Sequence, residues 1–476
     1  MTFYNSPRIF KHGGYIMCGI VGIASNSRDV ARDLYLANWG QMTRGKESSR
    51  IVTFDDQYHL IGGMGTPDVV FRGEGALQTL KGRCGIGHDR YSTTGGSSTH
   101  NIQPIEGVFN GTPFWLAHNG NFVGYQKVKE WCERKGYLFK TTTDTEVLAA
   151  LIYYSRKTNF QDALKWALQQ IHGTYALIVL YKDQVMGVCD PSGNRPLVLG
   201  SGNDINLLAS ESAVCDIIGI DVIRDINPGE LVTFSDGYNE NIKSEVLLKK
   251  SISHPCIFEF IYFLRPDSIW HNLRMQIVRE KMGTVLWDEH PLKADIIVPA
   301  PDSGNAAAIG YAQASQIPLV FALFRYHGVG RTFIDPIQNM RDENMRIKLN
   351  VIPELVKGKI VVIVDDSIVR GTVTRRVTNM LLDAGAKEVH IRIASPPYMH
   401  PCYYGIDTYR VQNELIALRH DGDIDAICTE IGASSLAYLS LAGLKRAIIE
   451  SGSDGLSEAS FCDACFTGNY HIPIEE

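Results

Sequence analysis

The first half of the chain shows short apolar runs separated by glycine and polar residues, a pattern typical of β-strands. Ile20–Ala24 and Leu177–Tyr181 are such runs, and Asn206–Phe234 contains more, with a turn signal at Asn227–Gly229. Asp144–Arg156 instead places its apolar residues at helical spacing. This half therefore reads as many short strands with two helices, an α+β domain.

The second half alternates buried-strand patterns with helices. The predicted strands are Asp295–Pro299, Lys359–Val364 and Glu388–Ile393, and the predicted helices are Gly304–Ala314 and Thr372–Ala384. Because parallel strands need helical crossovers, this order predicts a parallel α/β sheet.

A polar stretch at Lys249–Ser251 marks the expected domain boundary, which gives domains at residues 18–250 and 251–476. Gly328–Asn350 is long, polar and charged. Loops of that length are usually functional or disordered.

Composition narrows the class of protein. With 476 residues, two or three domains are expected. A net charge of -6 gives no reason to expect nucleic acid or a membrane surface as partner. No apolar run of about 18 residues and no secretory signal is visible. Ten cysteines are too few for a disulfide scaffold, so a cytoplasmic protein with free, catalytic or metal-bound thiols is expected.

Cys18, in Met17–Ile23, could be a plain core residue. Its companion strings, Gly87–Thr93, His118–Asn121 and Thr143–Glu146, change that interpretation. Together they resemble class II glutamine amidotransferases, whose domain is an N-terminal-nucleophile hydrolase. The resemblance extends from Cys18 to about residue 235.

This resemblance implies that Cys18 is the first residue of the active enzyme. A free α-amine has a pKa of about 7.7–8.0 and can accept the thiol proton, whereas an amide nitrogen cannot. Residues 1–17 should then be absent. Translation from Met17 followed by methionine removal is the favoured route, and cleavage of a leader is the alternative.

The remaining site residues follow from the same resemblance. The side chain of Asn119 and the N–H of Gly120 would stabilise the oxyanion. Arg90 would bind the α-carboxylate of glutamine, Asp144 its α-ammonium group, and Arg44 would complete the glutamine site. The alternative reading is an Asn-Gly turn, a surface arginine and a helix-capping aspartate.

Two strings depart from the usual family pattern. Thr43–Lys46 carries Lys46 where a neutral amide is usual, and Cys189 stands where arginine is common. These departures bear on gating or domain coupling and leave the nucleophile untouched.

The apolar run Val361–Val364 ends in two carboxylates and a small polar loop. This string resembles the signature of type I phosphoribosyltransferases. It implies that Asp365 and Asp366 hold the ribose hydroxyls and, with Ser303, Mg²⁺. The loop that would cradle the 5-phosphate comprises Ser367, Ile368, Val369, Arg370, Gly371 and Thr372.

Two further loops match that family. Pro301–Gly304 resembles its pyrophosphate and Mg²⁺ loop, and Arg331–Leu349 resembles its flexible catalytic loop. Arg331 and Lys348 are the candidates for positive charge on the leaving group. A solvated basic loop is the alternative.

A glutaminase followed by a phosphoribosyltransferase implies transfer of ammonia to phosphoribosyl pyrophosphate (PRPP), which forms phosphoribosylamine for purine synthesis. Ammonia must stay uncharged to attack, so a sealed path is needed, and Tyr262 matches a family position near it. The resemblance also implies a homo-oligomer, a tetramer or a dimer, and feedback inhibition by purine nucleotides.

Cys462 and Cys465 form a C-x-x-C pair, which alone is ambiguous between a redox pair, zinc ligands and cluster ligands. Some enzymes of this two-domain type carry a [4Fe–4S] cluster on cysteines that match Cys256, Cys402, Cys462 and Cys465. A four-cysteine zinc site is the main rival.

Three other functions compete with this hypothesis. A regulator could bind PRPP only as a signal. A sugar-phosphate amidotransferase or an asparagine synthetase would share the first half but lack the Asp365–Thr372 string. A catalytically silent paralogue would retain residues 1–17.

Overall fold

The computed structural model describes residues 17–73, 75–91, 96–235, 242–326, 349–453 and 455–474. They form two compact units. The larger comprises Ile16–Gln276, His400–Gln412 and Ile449–Glu476, and the smaller comprises Ile277–Met399 and Asn413–Ile448.

The units do not divide at the predicted boundary near residue 250, because the following segment is bonded to the larger unit. Backbone N–H groups of Ser251, His254 and Cys256 donate to carbonyls of residues 191–194. The C-terminal tail joins the same unit through backbone pairing, an isolated parallel β-bridge between Cys256 and Cys462.

Two antiparallel sheets lie face to face in the larger unit and share an apolar core. In spatial order the first sheet contains β11 (Asp221–Asp225), β9 (Val198–Gly202), β10 (Ile205–Ala209), β1 (Gly19–Ser25), β4 (Cys84–Arg90), β2 (Ser48–Phe54) and β3 (Tyr58–Met64). The second contains β13 (Lys243–Val246), β12 (Glu230–Phe234), β8 (Gln184–Cys189), β7 (His172–Tyr181), β6 (Thr112–Val123) and β5 (Ile105–Phe109).

Helices cover the outer face of each sheet, which gives four layers. On the first sheet lie α1 (Ala31–Gln41), α2 (Pro67–Val70) and α6 (Ala213–Ile218); on the second lie α3 (Tyr125–Arg134), α4 (Thr145–Tyr154) and α5 (Phe160–Leu168). The helix predicted at Asp144–Arg156 is confirmed as α4. The layers explain why β1 is buried along its whole length, since both faces of its sheet are covered.

The larger unit also contains the strand pair β14 (Ile269–Trp270) and β15 (Leu273–Arg274), a π-helical turn at Glu259–Phe263, and α14 (Ala464–Thr467) near the C-terminus.

The smaller unit is built on a parallel sheet, as its alternating pattern predicts. Its strands, in spatial order, are β16 (Ile296–Pro299), β19 (Ile360–Asp365), β20 (Glu388–Ile393) and β21 (Ser435–Tyr438). A separate antiparallel pair is formed by β17 (Leu323–Arg325) and β18 (Leu349–Val351).

Among the described residues of the second half, further α-helices are α7 (Met275–Glu289), α8 (Asn305–Ser315), α9 (Pro353–Val356), α10 (Thr372–Asp383), α11 (Ile416–Arg419), α12 (Ile424–Ile431) and α13 (Leu441–Glu450). The predicted helices at Gly304–Ala314 and Thr372–Ala384 are confirmed as α8 and α10. Within the described ranges, no helix is long and apolar enough to cross a lipid bilayer.

The core between α4 and the second sheet predicts a difference in stability between two leucine substitutions. Leu148 is fully buried in that core. Leu148→Ala should lower the free energy of unfolding by about 2–5 kcal/mol, because it removes apolar contacts and leaves a cavity.

Leu138→Ala is the matched control, since the Leu138 side chain is 87% exposed. Urea titration of both variants checks the prediction. Equal midpoints for the two variants would show that α4 does not hold this core together.

Candidate functional site

Cys18 stands immediately before β1, which runs between β10 and β4 in the middle of the first sheet. The side chain is 6% exposed. Its sulfur lies 3.4 Å from the carbonyl oxygen of Tyr91 and 3.5 Å from the Tyr91 backbone nitrogen. The thiol is therefore held at the end of a rigid strand.

Burial raises the pKa of the Cys18 thiol to about 11, and the backbone of Tyr91 and the charge of Arg90 offset this only in part. At neutral pH such a thiol is ionised in about one molecule in 10⁴. A nucleophilic Cys18 consequently needs a base placed beside it.

Arg44 contacts the backbone of Cys18. Its Nε donates to the Cys18 carbonyl oxygen at 3.0 Å. Its two terminal nitrogens contact the carboxylates of Glu259 and Glu211, and the guanidinium is fully buried. Arg44 was predicted to complete the glutamine site, but the structure gives its whole side chain internal partners and places it as a support for the Cys18 backbone.

The alternative readings of the other motif residues do not describe this structure. Asn119 and Gly120 lie inside β6 opposite β7, so they form no turn. Arg90 is 2% exposed and its Nη1 contacts Glu47, so it is no surface arginine. Asp144 makes no capping hydrogen bond to α4 and instead accepts from the backbone N–H of Phe122 at 2.8 Å.

Asn119 has the features of a preorganised donor. It is fully buried, and neither atom of its amide group has a hydrogen-bond partner within the described residues. A buried amide without a partner is costly and usually has a functional reason. Gly120 has a φ of 151°, and a Cβ there would lie 2.0 Å from the carbonyl oxygen of Thr174, so glycine is required.

The carboxylates predicted to hold ribose lie at the carboxyl end of β19, the edge at which parallel sheets bind ligands. Asp366 is 6% exposed. Burial raises the pKa of Asp365 well above its usual range, and the charge of Asp366 raises it further. A cation or a set of hydroxyl donors at this edge would relieve that cost.

The predicted pyrophosphate loop meets the same edge. A Cβ on Gly304 would lie 2.4 Å from the carbonyl oxygen of Val364, so the loop passes against the end of β19. The Ser303 hydroxyl and the charge of Arg279 on α7 both lower the pKa of Asp366 against the larger effect of its burial. Ser303 and the two aspartates, the predicted Mg²⁺ ligands, are thus brought together.

The predicted phosphate loop, Ser367–Thr372, leads into α10. Gly371 precedes the helix with a φ of 76°, a conformation that favours glycine. The carbonyl of Val369 accepts from the backbone of Ile416, and Arg370 Nε lies 3.0 Å from Glu414. Arg331 and Lys348, the predicted charges of the catalytic loop, lie outside the described residues.

The four predicted cluster cysteines converge within the larger unit. Burial raises the pKa of Cys256 to about 11. Burial also raises the pKa of Cys462 and Cys465, and the charges of the other cysteines, Cys402 included, raise both further. The sulfurs therefore lie close enough to sense one another's charge. Among the described residues, no group of three or more His, Cys, Asp or Glu side chains could hold a metal ion.

Arg195 places a cation beside these sulfurs. Its charge lowers the pKa of Cys256 and Cys462, and its Nη2 donates to the carbonyl of Tyr404. Its buried Nε has no hydrogen-bond partner in the described part of the chain. A buried cation beside Cys256 and Cys462 fits an anionic group held by the four thiols.

Sequence reasoning missed Glu211, Glu259 and Arg195. Glu259 stands in the otherwise apolar run Cys256–Leu264. A lone carboxylate in such a run signals a buried ion pair, because an unpaired buried charge is too costly. The identity of its partner, 215 residues away, was not visible in the pattern.

Comparisons with known proteins support the family assignment of both halves of the chain. Residues 88–215 match the family described as "Glutamine amidotransferase domain". The amidophosphoribosyltransferase of Archaeoglobus fulgidus is 41% identical over 461 residues, covering 96% of this chain and 98% of that protein. The enzyme of the same name from Bacillus subtilis is 40% identical, covering 96% and 94%.

Two solved structures are similar over nearly the whole chain. One is glutamine PRPP amidotransferase from B. subtilis complexed with ADP and GMP, with a TM-score of 0.89, 39% identity, and coverage of 96% of this chain and 98% of that one. The other is described as the allosteric regulatory enzyme of purine biosynthesis, with a TM-score of 0.90, 39% identity, and coverage of 96% and 97%.

Fold and site together define a class II glutamine amidotransferase domain of the N-terminal-nucleophile type, joined to a phosphoribosyltransferase domain. At about 40% identity over nearly its full length, the chain belongs to the amidophosphoribosyltransferase family.

Proposed function

We propose that this enzyme converts glutamine, PRPP and water into phosphoribosylamine, glutamate and pyrophosphate, the first committed step of purine synthesis. One observation carries the proposal. A single chain of this family combines the buried Cys18 thiol at the start of β1 with paired carboxylates at the end of β19.

In the glutaminase half, the sulfur of Cys18 attacks the side-chain amide carbon of glutamine. The Asn119 amide and the Gly120 N–H donate to the oxyanion, and their fixed positions mean that no reorganisation is needed as charge develops. The thiol proton leaves with the amide nitrogen as ammonia, and water hydrolyses the thioester to glutamate. Arg90 and Asp144 hold the α-carboxylate and α-ammonium group of the substrate.

The base is the α-amine of Cys18 itself, which requires that residues 1–17 be absent from the working enzyme. An amine with a pKa of about 7.7–8.0 is partly neutral at physiological pH and lies within reach of its own side chain. The hydrogen bond from Arg44 to the Cys18 carbonyl supports this role, since it fixes the residue without occupying its nitrogen.

In the transferase half, Asp365 and Asp366 hold the ribose hydroxyls, and the loop Ser367–Thr372 binds the 5-phosphate. Ser303 and the two aspartates would also hold Mg²⁺, which neutralises charge on the departing pyrophosphate when bound. Arg331 and Lys348 supply further positive charge. Ammonia attacks the anomeric carbon as the bond to pyrophosphate breaks.

Ammonia is mostly protonated in neutral water, and ammonium has no lone pair for attack. The enzyme therefore transfers it along a path shielded from water, beside which we place Tyr262. The enzyme acts in the cytoplasm as a tetramer or a dimer, and purine nucleotides inhibit it. The B. subtilis structure complexed with ADP and GMP supports the last point.

Cys256, Cys402, Cys462 and Cys465 would hold a [4Fe–4S] cluster through their thiolates. Their burial, their mutual electrostatic contact and the unpartnered Nε of Arg195 support this assignment. Four thiolates on separate irons need not share one metal ion, so the lack of a single-ion site among the described residues is compatible with a cluster. The cluster would tie the C-terminal tail to the segment that begins at Cys256.

Cys18→Ala should abolish glutamine-dependent synthesis, by more than about 10³-fold, because no other group can form the thioester. Synthesis from added ammonium chloride should remain, since the transferase half is unchanged. Cys215→Ala, at another buried cysteine of the same unit, is the control and should keep both activities. Retained glutamine use by Cys18→Ala would contradict the nucleophile assignment.

Asp366→Asn should lower both glutamine-dependent and ammonia-dependent synthesis by about 10²-fold, because both reactions pass through the same PRPP site. Asp383→Asn, at the exposed end of α10, is the matched control. Initial rates at saturating PRPP test the prediction. A variant that lost only glutamine use would show that Asp366 does not hold PRPP.

Protein purified without oxygen should contain about four irons and four acid-labile sulfides per chain. Cys402→Ser should lose them, whereas Cys428→Ser, at a cysteine of the smaller unit, should not. One zinc per chain would favour the four-cysteine zinc site. The absence of both iron and zinc would indicate four thiols that bind no metal.

A further inference from the structure

Four charged side chains form a buried network behind the nucleophile, and each is fully excluded from solvent. Two are cations, Arg44 and Arg195, and two are carboxylates, Glu211 and Glu259. The charges sum to zero. A balanced set is expected here, because a single unpaired charge at this depth would cost several kcal/mol.

Glu259 is the central member of the network. Its two oxygens accept from the terminal nitrogens of Arg44 at 2.8 and 3.0 Å, a two-point contact that fixes the plane of the guanidinium. Arg195 Nη1 lies 3.5 Å from the same carboxylate. With its plane fixed in this way, Arg44 directs its remaining nitrogen, Nε, at the Cys18 carbonyl.

Glu211 also contacts Arg44, but it has further hydrogen-bond partners. One of its oxygens lies 3.3 Å from Arg44 Nη1. The other accepts from the backbone N–H of Arg265 and from the Ser268 hydroxyl. Glu259, by contrast, has a bidentate contact with Arg44, which makes it the stronger determinant of the position of that side chain.

We propose that Glu259 is a positioning residue of the glutaminase reaction, which holds Arg44 so that Arg44 fixes the backbone of Cys18. The proposal rests on the function proposed above. It places the support of the nucleophile on the π-helical turn Glu259–Phe263, three residues after Cys256. The same short segment thus carries a predicted cluster ligand and the carboxylate that determines where the nucleophile lies.

The position of the Cys18 carbonyl matters because the α-amine and the thiol belong to the same residue, so movement of its backbone moves both. Loss of the hydrogen bond would let the α-amine and the thiol turn relative to the bound glutamine. Misplacement by about 1 Å can cost about 10²-fold in rate. Glutamine binding should change little, because Arg90 and Asp144 are held by other partners, Glu47 and the backbone N–H of Phe122.

The test is Glu259→Gln in the full-length enzyme. We expect kcat for glutamine hydrolysis to fall by about 10²-fold, the KM for glutamine to change less than about threefold, and ammonia-dependent synthesis to stay within about twofold. Glu230→Gln is the matched control, because Glu230 is a buried carboxylate of the same unit, paired with Arg224 away from Cys18. It should leave kcat unchanged.

A double-variant cycle gives a readout that a merely structural effect would not produce. Arg44→Lys keeps the charge but loses the planar fork, so it should reduce kcat to a similar level. Combined with Glu259→Gln it should reduce kcat no further, because both changes break one connection. Multiplicative losses in the double variant would overturn the proposal.

The remaining outcomes separate the inference from the proposed function. An unmodified enzyme that consumes no glutamine would overturn the proposed function itself. A normal enzyme with an unaffected Glu259→Gln variant would overturn the inference alone. Should Glu259→Gln fail to fold, Glu259→Asp preserves the charge with a shorter reach, and the same selective fall in kcat is expected; an unchanged kcat would count against the proposal.

Discussion

The burial of one thiol governs the glutaminase half of this enzyme. Cys18 stands at the end of a strand that is covered on both faces, and burial raises the pKa of its thiol to about 11. The Cys18 side chain is buried, and its sulfur contacts the backbone of Tyr91. A base has to come from Cys18 itself, which is why the α-amine is central to the proposed reaction.

The fold holds the groups around Cys18 in fixed positions, as the proposed reaction requires. Arg44 donates to the backbone carbonyl of Cys18, and Asn119, the proposed oxyanion donor, is kept inside β6 without a partner among the described residues. Leaving a buried amide unpaired reduces stability, and the large core between the sheets offsets that cost. In the smaller unit Asp365 and Asp366 repel each other at the carboxyl end of β19, a cost that the proposed substrate contacts would relieve.

Local sequence was sufficient for the elements and motifs that depend on near neighbours. The strand Lys359–Val364, its two carboxylates and the following helix are contiguous, and the structure has them as β19 and α10. The helix after Asp144 was found from its 3.6-residue period. These features follow from hydrophobic periodicity and turn chemistry, which operate over a few residues.

Contacts between residues that are far apart in the sequence cannot be predicted from such local patterns. Arg44 was assigned to glutamine because a motif suggested it, whereas its guanidinium is fully engaged by two carboxylates far along the chain. The compact units also differ from the domains expected from composition, since hydrogen bonds attach residues after 250 to the larger unit. Both depend on which distant segments meet, and a single sequence carries no periodic signal of that.

The most direct test is the intact mass of the purified enzyme, measured on the same sample whose glutamine hydrolysis is assayed. The account predicts that glutamine-consuming protein begins at Cys18 and that any fraction retaining the Met17–Cys18 bond is inactive with glutamine. Full glutaminase activity in protein that keeps that bond would contradict it, because the nitrogen of Cys18 would then be an amide and could not act as the base.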